Sequence, residues 1–304
     1  MKNRVLFLLE ASHIDKEYVE DLCLIANEYD EAVFVLSKAD QFNQHGLTTG
    51  QLLIILQSVL VKQLGIPFFL LLYPDKGVSG VNYWIQLKLL TPPFNTIYTS
   101  NKSDEEPAGL ILKCQFNLLP EMPDHNYQLT KFLPNVRRGL FITRAQPFHN
   151  GHAAFVKQLG EECDEIIVLI AAAEQAHVLN NPLSASERLE MLHSFFQKEF
   201  PGKFYLMALP QNAFNLENML ELSFLLPDFS SVYGSNPIIL SMCHALGIPT
   251  KALLNKVEVS ATEVRKQLLD NASIKDLVPS VIYDYLEKLP LKERLQLLNK
   301  DEKA

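Results

Sequence analysis

The chain repeats itself. Displaced by 134 residues, Arg4-Val-Leu-Phe-Leu falls on Arg138-Gly-Leu-Phe-Ile, Glu28-Tyr-Asp-Glu-Ala-Val on Glu162-Cys-Asp-Glu-Ile-Ile and Ala39-Asp-Gln on Ala173-Glu-Gln, all without a gap. With small gaps, Leu47-Thr-Thr meets Leu183-Ser-Ala, Phe68-Phe-Leu-Leu-Leu-Tyr-Pro meets Phe204-Tyr-Leu-Met-Ala-Leu-Pro, and Tyr98-Thr-Ser-Asn meets Tyr233-Gly-Ser-Asn. A single matched pentamer means little in an apolar chain. Several in one order and spacing indicate tandem copies of one unit. The fold problem therefore reduces to one domain built twice, expected at residues 1–134 and 135–304, and 304 residues with 48% hydrophobic content suffice for two cores.

Each copy alternates short apolar runs with helical patterns. In the second copy, strands are expected at 138–143, 165–171, 204–208 and 231–234, and helices at 153–163, 186–199 and 215–226. Such alternation implies parallel strands joined by right-handed crossovers, hence an α/β fold of two doubly wound, Rossmann-like sheets in tandem, the second with a C-terminal helical extension. Ser184-Ala-Ser-Glu187 has capping-box form, so a helix starts near Ala185. Pro120, Pro123 and Pro134, with the acidic Ser103-Asp-Glu-Glu-Pro107, are expected to connect the copies.

In the second copy the first strand runs into Thr143-Arg-Ala-Gln-Pro-Phe-His-Asn-Gly-His152 and then a helix. A helix N-terminus facing the end of a strand presents free N–H groups and the positive end of its dipole to one spot, which suits an anion. Pro147 and Gly151 are expected to permit the tight turn, His149 and His152 to donate hydrogen bonds to phosphate oxygens, and Arg144 to add a charged planar fork. The aligned residues of the first copy are Asp15, Glu17 and Tyr18, and two carboxylates there repel a phosphate. The first copy is therefore expected to be a degenerate domain, packing as a subunit of a homo-oligomer would. A second helix start, Val259-Ser-Ala-Thr-Glu-Val-Arg265, places a cap at Ser260 or Thr262 and a guanidinium at Arg265, expected to reach back over the helix end.

Composition limits the alternatives. With 27 basic against 35 acidic side chains, net charge −8 and pI near 5.5, the chain offers no broad basic face for nucleic acid. Cys23, Cys114, Cys163 and Cys243 lack metal-site or disulfide-framework spacing, so reduced thiols are expected. The apolar run at Val5–Leu9 stops at Glu10, too short for a signal segment or a membrane span, and a cytoplasmic protein is expected.

The His-x-Gly-His turn together with the distant Ser-x-Thr-x-x-Arg helix start resembles the nucleotidylyltransferase superfamily. Residues 138 to about 285 are similar to archaeal-type nicotinamide-nucleotide adenylyltransferases, through Arg138-Gly-Leu-Phe, Arg144, Gln146 to His152, Asp164-Glu165, His177, Asn181-Pro182, Ala185, Glu187-Arg188, Pro227, Phe229, Val232-Tyr233, Asn236-Pro237 and Ser260 to Arg265. The first copy resembles the family only faintly. The resemblance implies transfer of AMP from ATP to nicotinamide mononucleotide, giving NAD and pyrophosphate, with Mg2+ travelling with the triphosphate and no metal site of the protein's own. It implies catalytic roles for His149, His152, Arg144 and Arg265, and ATP binding by Phe141, Ile142, Asn236, Ser260 and Thr262 besides those four. Of the acceptor pocket, Asn215 matches, whereas Gln211 stands where the family has Asp and Asn218 where it has a stacking Trp; Phe214 or Phe224 are candidate replacements. Thr143 replaces a Gly, Ala145 an aromatic residue or Met, and Asn180 a basic residue. These departures leave open a different phosphorylated acceptor, or a catalytically silent nucleotide-binding regulator. The one tryptophan, Trp84, is expected to serve the first copy's core.

Overall fold

A computed structural model describes residues 2–11, 14, 16–37, 46–73, 80–120, 135–209, 216–252 and 258–301. The chain divides into two compact units, Met1–Asn135 with Leu220–Asp228, and Val136–Met219 with Phe229–Ala304. The first sheet contains β1 (Arg4–Glu10), β2 (Glu31–Ser37), β3 (Phe68–Leu72), β4 (Thr96–Thr99) and β5 (Gln115–Leu118), in the order β3-β2-β1-β4-β5. The second contains β6 (Arg138–Thr143), β7 (Glu165–Ile170), β8 (Phe204–Ala208), β9 (Ser231–Tyr233) and β10 (Thr250–Lys251), in the equivalent order β8-β7-β6-β9-β10. Every neighbouring pair is parallel. The two units thus share one doubly wound topology.

Helices α1 (Lys16–Ala26), α2 (Thr49–Gln63) and α3 (Val81–Leu90), and a single turn α4 (Glu105–Pro107), accompany the first sheet. The second copy's stretch of chain has α5 (Asn150–Glu162), α6 (Ala185–Glu199), α7 (Leu216–Leu225), which from Leu220 onward groups with the first unit, and α8 (Pro237–Ala245), followed by the C-terminal α9 (Ala261–Leu269), α10 (Ser280–Leu286) and α11 (Leu291–Asp301). The central strands bury nearly every residue, as a parallel sheet covered on both faces requires, so they read as continuous apolar runs instead of alternating ones. Trp84 is buried, edge-on to Tyr83 at 5.2 Å between ring centroids. No helix among the described residues is long and apolar enough to cross a membrane.

The repeat extends to individual hydrogen bonds. Arg4 Nε donates to Glu31 at 2.6 Å, and Arg138 Nε to Glu165 at 2.6 Å. Asn3 N–H reaches Asp30 and Arg137 N–H reaches Asp164, each at 2.8 Å. Each arginine also lies over an aromatic ring one strand further out, Phe69 or Tyr205. Thr48 with Gln51 and Ser184 with Glu187 form reciprocal capping boxes, and Asn101 and Asn236 each cap the helical turn after the fourth strand of their sheet. All of these are local pairings, so residue identities at a fixed offset carry them.

Four expectations change. Each sheet has a fifth strand that the sequence did not reveal, because β5 is a partly exposed edge and β10 is two exposed residues, neither with an apolar signal. Ser103–Pro107 is not a connection between copies; it lies in a short helical stretch that leads into β5. Helix α5 starts at Asn150, ahead of the expected Ala153, because His149 caps it, and α8 was not anticipated. Pro123 and Pro134 lie outside the described residues, while Pro120 follows β5.

Arg4 and Glu31 are both almost wholly buried. Glu31→Ala, which strands the guanidinium without its partner, should cost about 3–5 kcal/mol, read as a fall in the urea midpoint of the first unit's transition.

Candidate active site

Strands β6 and β9 are neighbours at the point where the strand order reverses, and in such sheets ligands sit beyond the carboxyl ends at that crevice. The loop after β6 carries the histidine turn; the residues after β9 lead to Asn236. The site is therefore where the topology demands one.

The His-x-Gly-His motif is built as a reciprocal helix cap. His149 is the N-cap of α5 and its Nδ1 accepts the Gly151 N–H at 3.1 Å, while His152 Nδ1 accepts the His149 N–H at 3.3 Å. Both Nδ1 atoms are acceptors, so each neutral ring carries its hydrogen on Nε2. Among the described residues His149 Nε2 has no hydrogen-bond partner, whereas His152 Nε2 lies 3.2 Å from Thr143 Oγ1. The imidazoles are 3.7 Å apart between centroids, with Phe148 stacked 5.3 Å from His152 and Phe141 edge-on at 6.0 Å. Burial pushes His149 down to about pKa 4. Burial, and then the neighbouring His149, hold His152 well below the usual imidazole value. At neutral pH both are neutral donors.

Gly151 serves space, not turn geometry as expected, for it lies within α5 without a positive φ. A Cβ there would come within 3.0 Å of the His149 ring and of the Val259 carbonyl oxygen. That proximity joins the second motif to the first. Ser260 caps α9 by accepting the Glu263 N–H at 3.1 Å. Arg265 sits in the second helical turn, not the first, and still reaches back: it donates to Gln146 O at 2.7 Å, Thr262 Oγ1 at 3.2 Å and Asn180 Oδ1 at 3.4 Å. It is 9% exposed, burial pushes its pKa down, and no carboxylate pairs with it among the described residues. A buried cation held only by neutral oxygens lacks its counter-ion. A cavity of about 710 Å3 opens beside it, also lined by Asn180, Thr262, Lys266, Lys300 and the carboxylate of Asp270.

Gln146 pins the turn from the other side, exchanging two hydrogen bonds with the Leu183 backbone at 2.8 and 2.9 Å. Beneath lies Arg188, wholly buried, whose role the motif alone did not reveal. Its guanidinium donates to the carbonyls of Arg144, Ala171, Ala172, Ala173, Gln175 and Ser184 at 2.9–3.4 Å. Desolvation brings its pKa down to about 10, against the opposing pull of Glu174. Ala145 and Ala172, in the loops that leave β6 and β7, take left-handed φ values of 49° and 51°, a conformation costing an L-residue on the order of 1–2 kcal/mol. Arg188 binds carbonyls beside both. Glu187 closes the α6 cap and receives both Nη atoms of Arg294 at 2.8 Å, which ties α11 to this floor.

The structure brings His149, His152, Thr262, Arg265 and the Ser260 cap around one turn, with Phe141 against His152. Arg144 is exposed at the rim and Ile142 is half-buried on β6. Asn236 spends its carbonyl oxygen capping α8, accepting from Ile238 N–H at 2.9 Å. Asn215, Gln211 and Phe214 lie outside the described residues, as does Asp15, and Tyr18, aligned with His152, is buried in the first unit.

Residues 140–267 match the cytidylyltransferase-like family model. A nicotinamide-nucleotide adenylyltransferase from Thermococcus sibiricus is 33% identical over 168 residues, 54% of this chain and 90% of that protein. One from Methanococcus aeolicus is 33% identical over 165 residues, 53% of this chain and 95% of its own length. The chain belongs to the nicotinamide-nucleotide adenylyltransferase family. The family likeness covers the second half, where the histidine cap and Arg265 stand. Among solved structures, a bifunctional NMN adenylyltransferase/ADP ribose pyrophosphatase from Francisella tularensis is 16% identical over 54% of each chain with a TM-score of 0.47, too remote to carry weight.

Two outcomes test this geometry. Arg188→Lys keeps the charge but loses the fork that spans several carbonyls, so stability should fall by about 3 kcal/mol or more in denaturant titration. The depressed His149 pKa means that between the ordinary 6.5 and about 4 the unfolded chain binds protons that the folded chain refuses. Its contribution is complete above pH 6.5 and is lost as pH falls toward 4. His149→Asn, which keeps a capping side chain, should flatten the fall in urea midpoint across that window.

Proposed function

We propose that this chain transfers AMP from ATP, presented as its Mg2+ complex, to the 5′-phosphate of nicotinamide mononucleotide, releasing NAD and pyrophosphate. The observation that carries the reading is the buried Arg265, paired with no carboxylate among the described residues and bonded to the turn whose helix is capped by His149 and His152. The mononucleotide phosphate oxygen attacks the α-phosphorus in line, the α–β bridging bond breaks, and its electron pair leaves with pyrophosphate. No protein nucleophile takes part. The protein's work is to position two phosphates and neutralise charge that moves toward the leaving group.

In this reading the His149 Nε2–H donates to a triphosphate oxygen at the positive end of the α5 dipole, and His152 stabilises the transition state. Arg265 grips the departing β,γ-phosphates, and Arg144 holds a phosphate from the rim. Neutral imidazoles suit the task, because they donate without a proton to lose at physiological pH. Ser260, Thr262, Phe141, Ile142 and Asn236 complete the ATP site, and Asn215 the acceptor side. The two copies divide near residue 134, and the first serves a structural part, standing in for the neighbour that a homo-oligomer would supply. The Gln211 and Asn218 departures favour, as a second reading, an acceptor phosphate other than nicotinamide mononucleotide.

Incubation with ATP, Mg2+ and nicotinamide mononucleotide, followed by chromatography, should yield NAD; pyrophosphate release only with another acceptor would sink the first reading in favour of the second. His152→Ala should lower kcat by about 10²–10³ with the far-UV spectrum unchanged, and a folded variant with full turnover would remove His152 from the chemistry.

A further inference from the structure

The side chain of Thr143 lies buried at the end of β6, under the turn that carries the histidines. Its Oγ1 stands 3.2 Å from His152 Nε2 and accepts the Ala145 N–H at 3.1 Å. The direction of the first bond follows from the other side of the ring. His152 Nδ1 is already an acceptor, for the His149 N–H, so the hydrogen of the neutral imidazole is on Nε2 and Thr143 receives it. One hydroxyl oxygen thus holds both the left-handed residue Ala145 and the ring that the turn presents.

The two histidines are consequently unequal. The Nε2–H of His149 has no protein acceptor among the described residues, while that of His152 is committed to Thr143. The His152 ring is fixed on every side, by the His149 N–H at Nδ1, by Thr143 at Nε2, and by Phe148 and His149 on its faces. We infer that Thr143 is a positioning residue for His152: its hydroxyl accepts the Nε2 hydrogen that the His149 N–H at Nδ1 leaves there, fixes the ring plane, and retains that hydrogen until a phosphate oxygen competes for it. The inference concerns how the proposed adenylyl-transfer site is set, and so rests on that reading for its catalytic consequence. The tautomer and the hydrogen bond are properties of the nucleotide-free protein and do not.

Thr143→Val keeps the shape and removes the hydroxyl; Thr143→Ser keeps the hydroxyl; Thr143→Ala removes it without adding a methyl near the ring. In the nucleotide-free protein, 15N–1H correlation through the imidazole should show a protected His152 Nε2–H in the wild type and in Thr143→Ser. That proton should exchange too fast to observe in Thr143→Val and Thr143→Ala. With ATP and nicotinamide mononucleotide, Val and Ala should lower kcat about tenfold or more while KM for ATP moves less than about twofold, and Ser should stay within about threefold of wild type. A protected Nε2–H that survives in Val or Ala, or a His152 carrying its hydrogen on Nδ1, overturns the inference, as does unchanged kcat in both hydroxyl-free variants. If the wild type makes no NAD, the functional reading fails alone, and the resonance experiment still decides the part of Thr143.

Discussion

A guanidinium with no exposed surface holds the second unit's site in shape. Arg188 takes carbonyls from the ends of two strands, the loop beyond them and the start of its own helix, and two alanines in left-handed conformations stand among those carbonyls. Each strained residue alone would relax toward an ordinary conformation. Tied to one planar fork they cannot relax separately, because a shift of either loop breaks bonds in the other. The turn that carries His149 rests on this arrangement, and Arg294 with Glu187 extends it to the C-terminal helices. Burial by itself would raise the Glu187 carboxyl; the two bonds from Arg294 and the Ser184 N–H more than reverse that and hold it below the usual range. Charged groups here thus act first as backbone organisers.

Above that floor the electrostatics are those of a site waiting for negative charge. The chain as a whole carries −8, so attraction of an anion depends on what is local. The positive end of a helix dipole, a neutral imidazole donor and a buried guanidinium paired with no carboxylate among the described residues supply it. Protonated histidines would add charge but would repel each other at 3.7 Å. The protein holds both neutral, as burial dictates.

Most of the frame was legible in the sequence because it is written in short-range signals. The offset of 134 residues found the duplication, and the β6 and β8 bounds coincide with their apolar runs. Ser184 and Ser260 announced their helices through side chains that cap them. What escaped was non-local or lacked hydrophobic contrast. Strand β10 has two exposed residues, and β5 follows an acidic stretch that looks like a linker until its helical turns are seen. The spatial reason for Gly151 required the Val259 carbonyl, more than a hundred positions away in sequence, and the partners of Arg188 lie on elements that only the folded sheet brings together.

The duplicated arginine–glutamate pairs stand at the beginning of the first and second strands of each sheet, at the opposite end from the histidine turn. One lock on strand register therefore stands at the pole away from the chemistry, while Arg188 braces the pole that carries it. A unit of this design can exchange side chains of its functional loops while the pair at the other pole still joins the first two strands. Such a scaffold leaves the loops of two copies free to diverge while the strands beneath them stay paired. The pairing of Asp15, Glu17 and Tyr18 in one copy with His149, Gly151 and His152 in the other is the divergence that freedom allows.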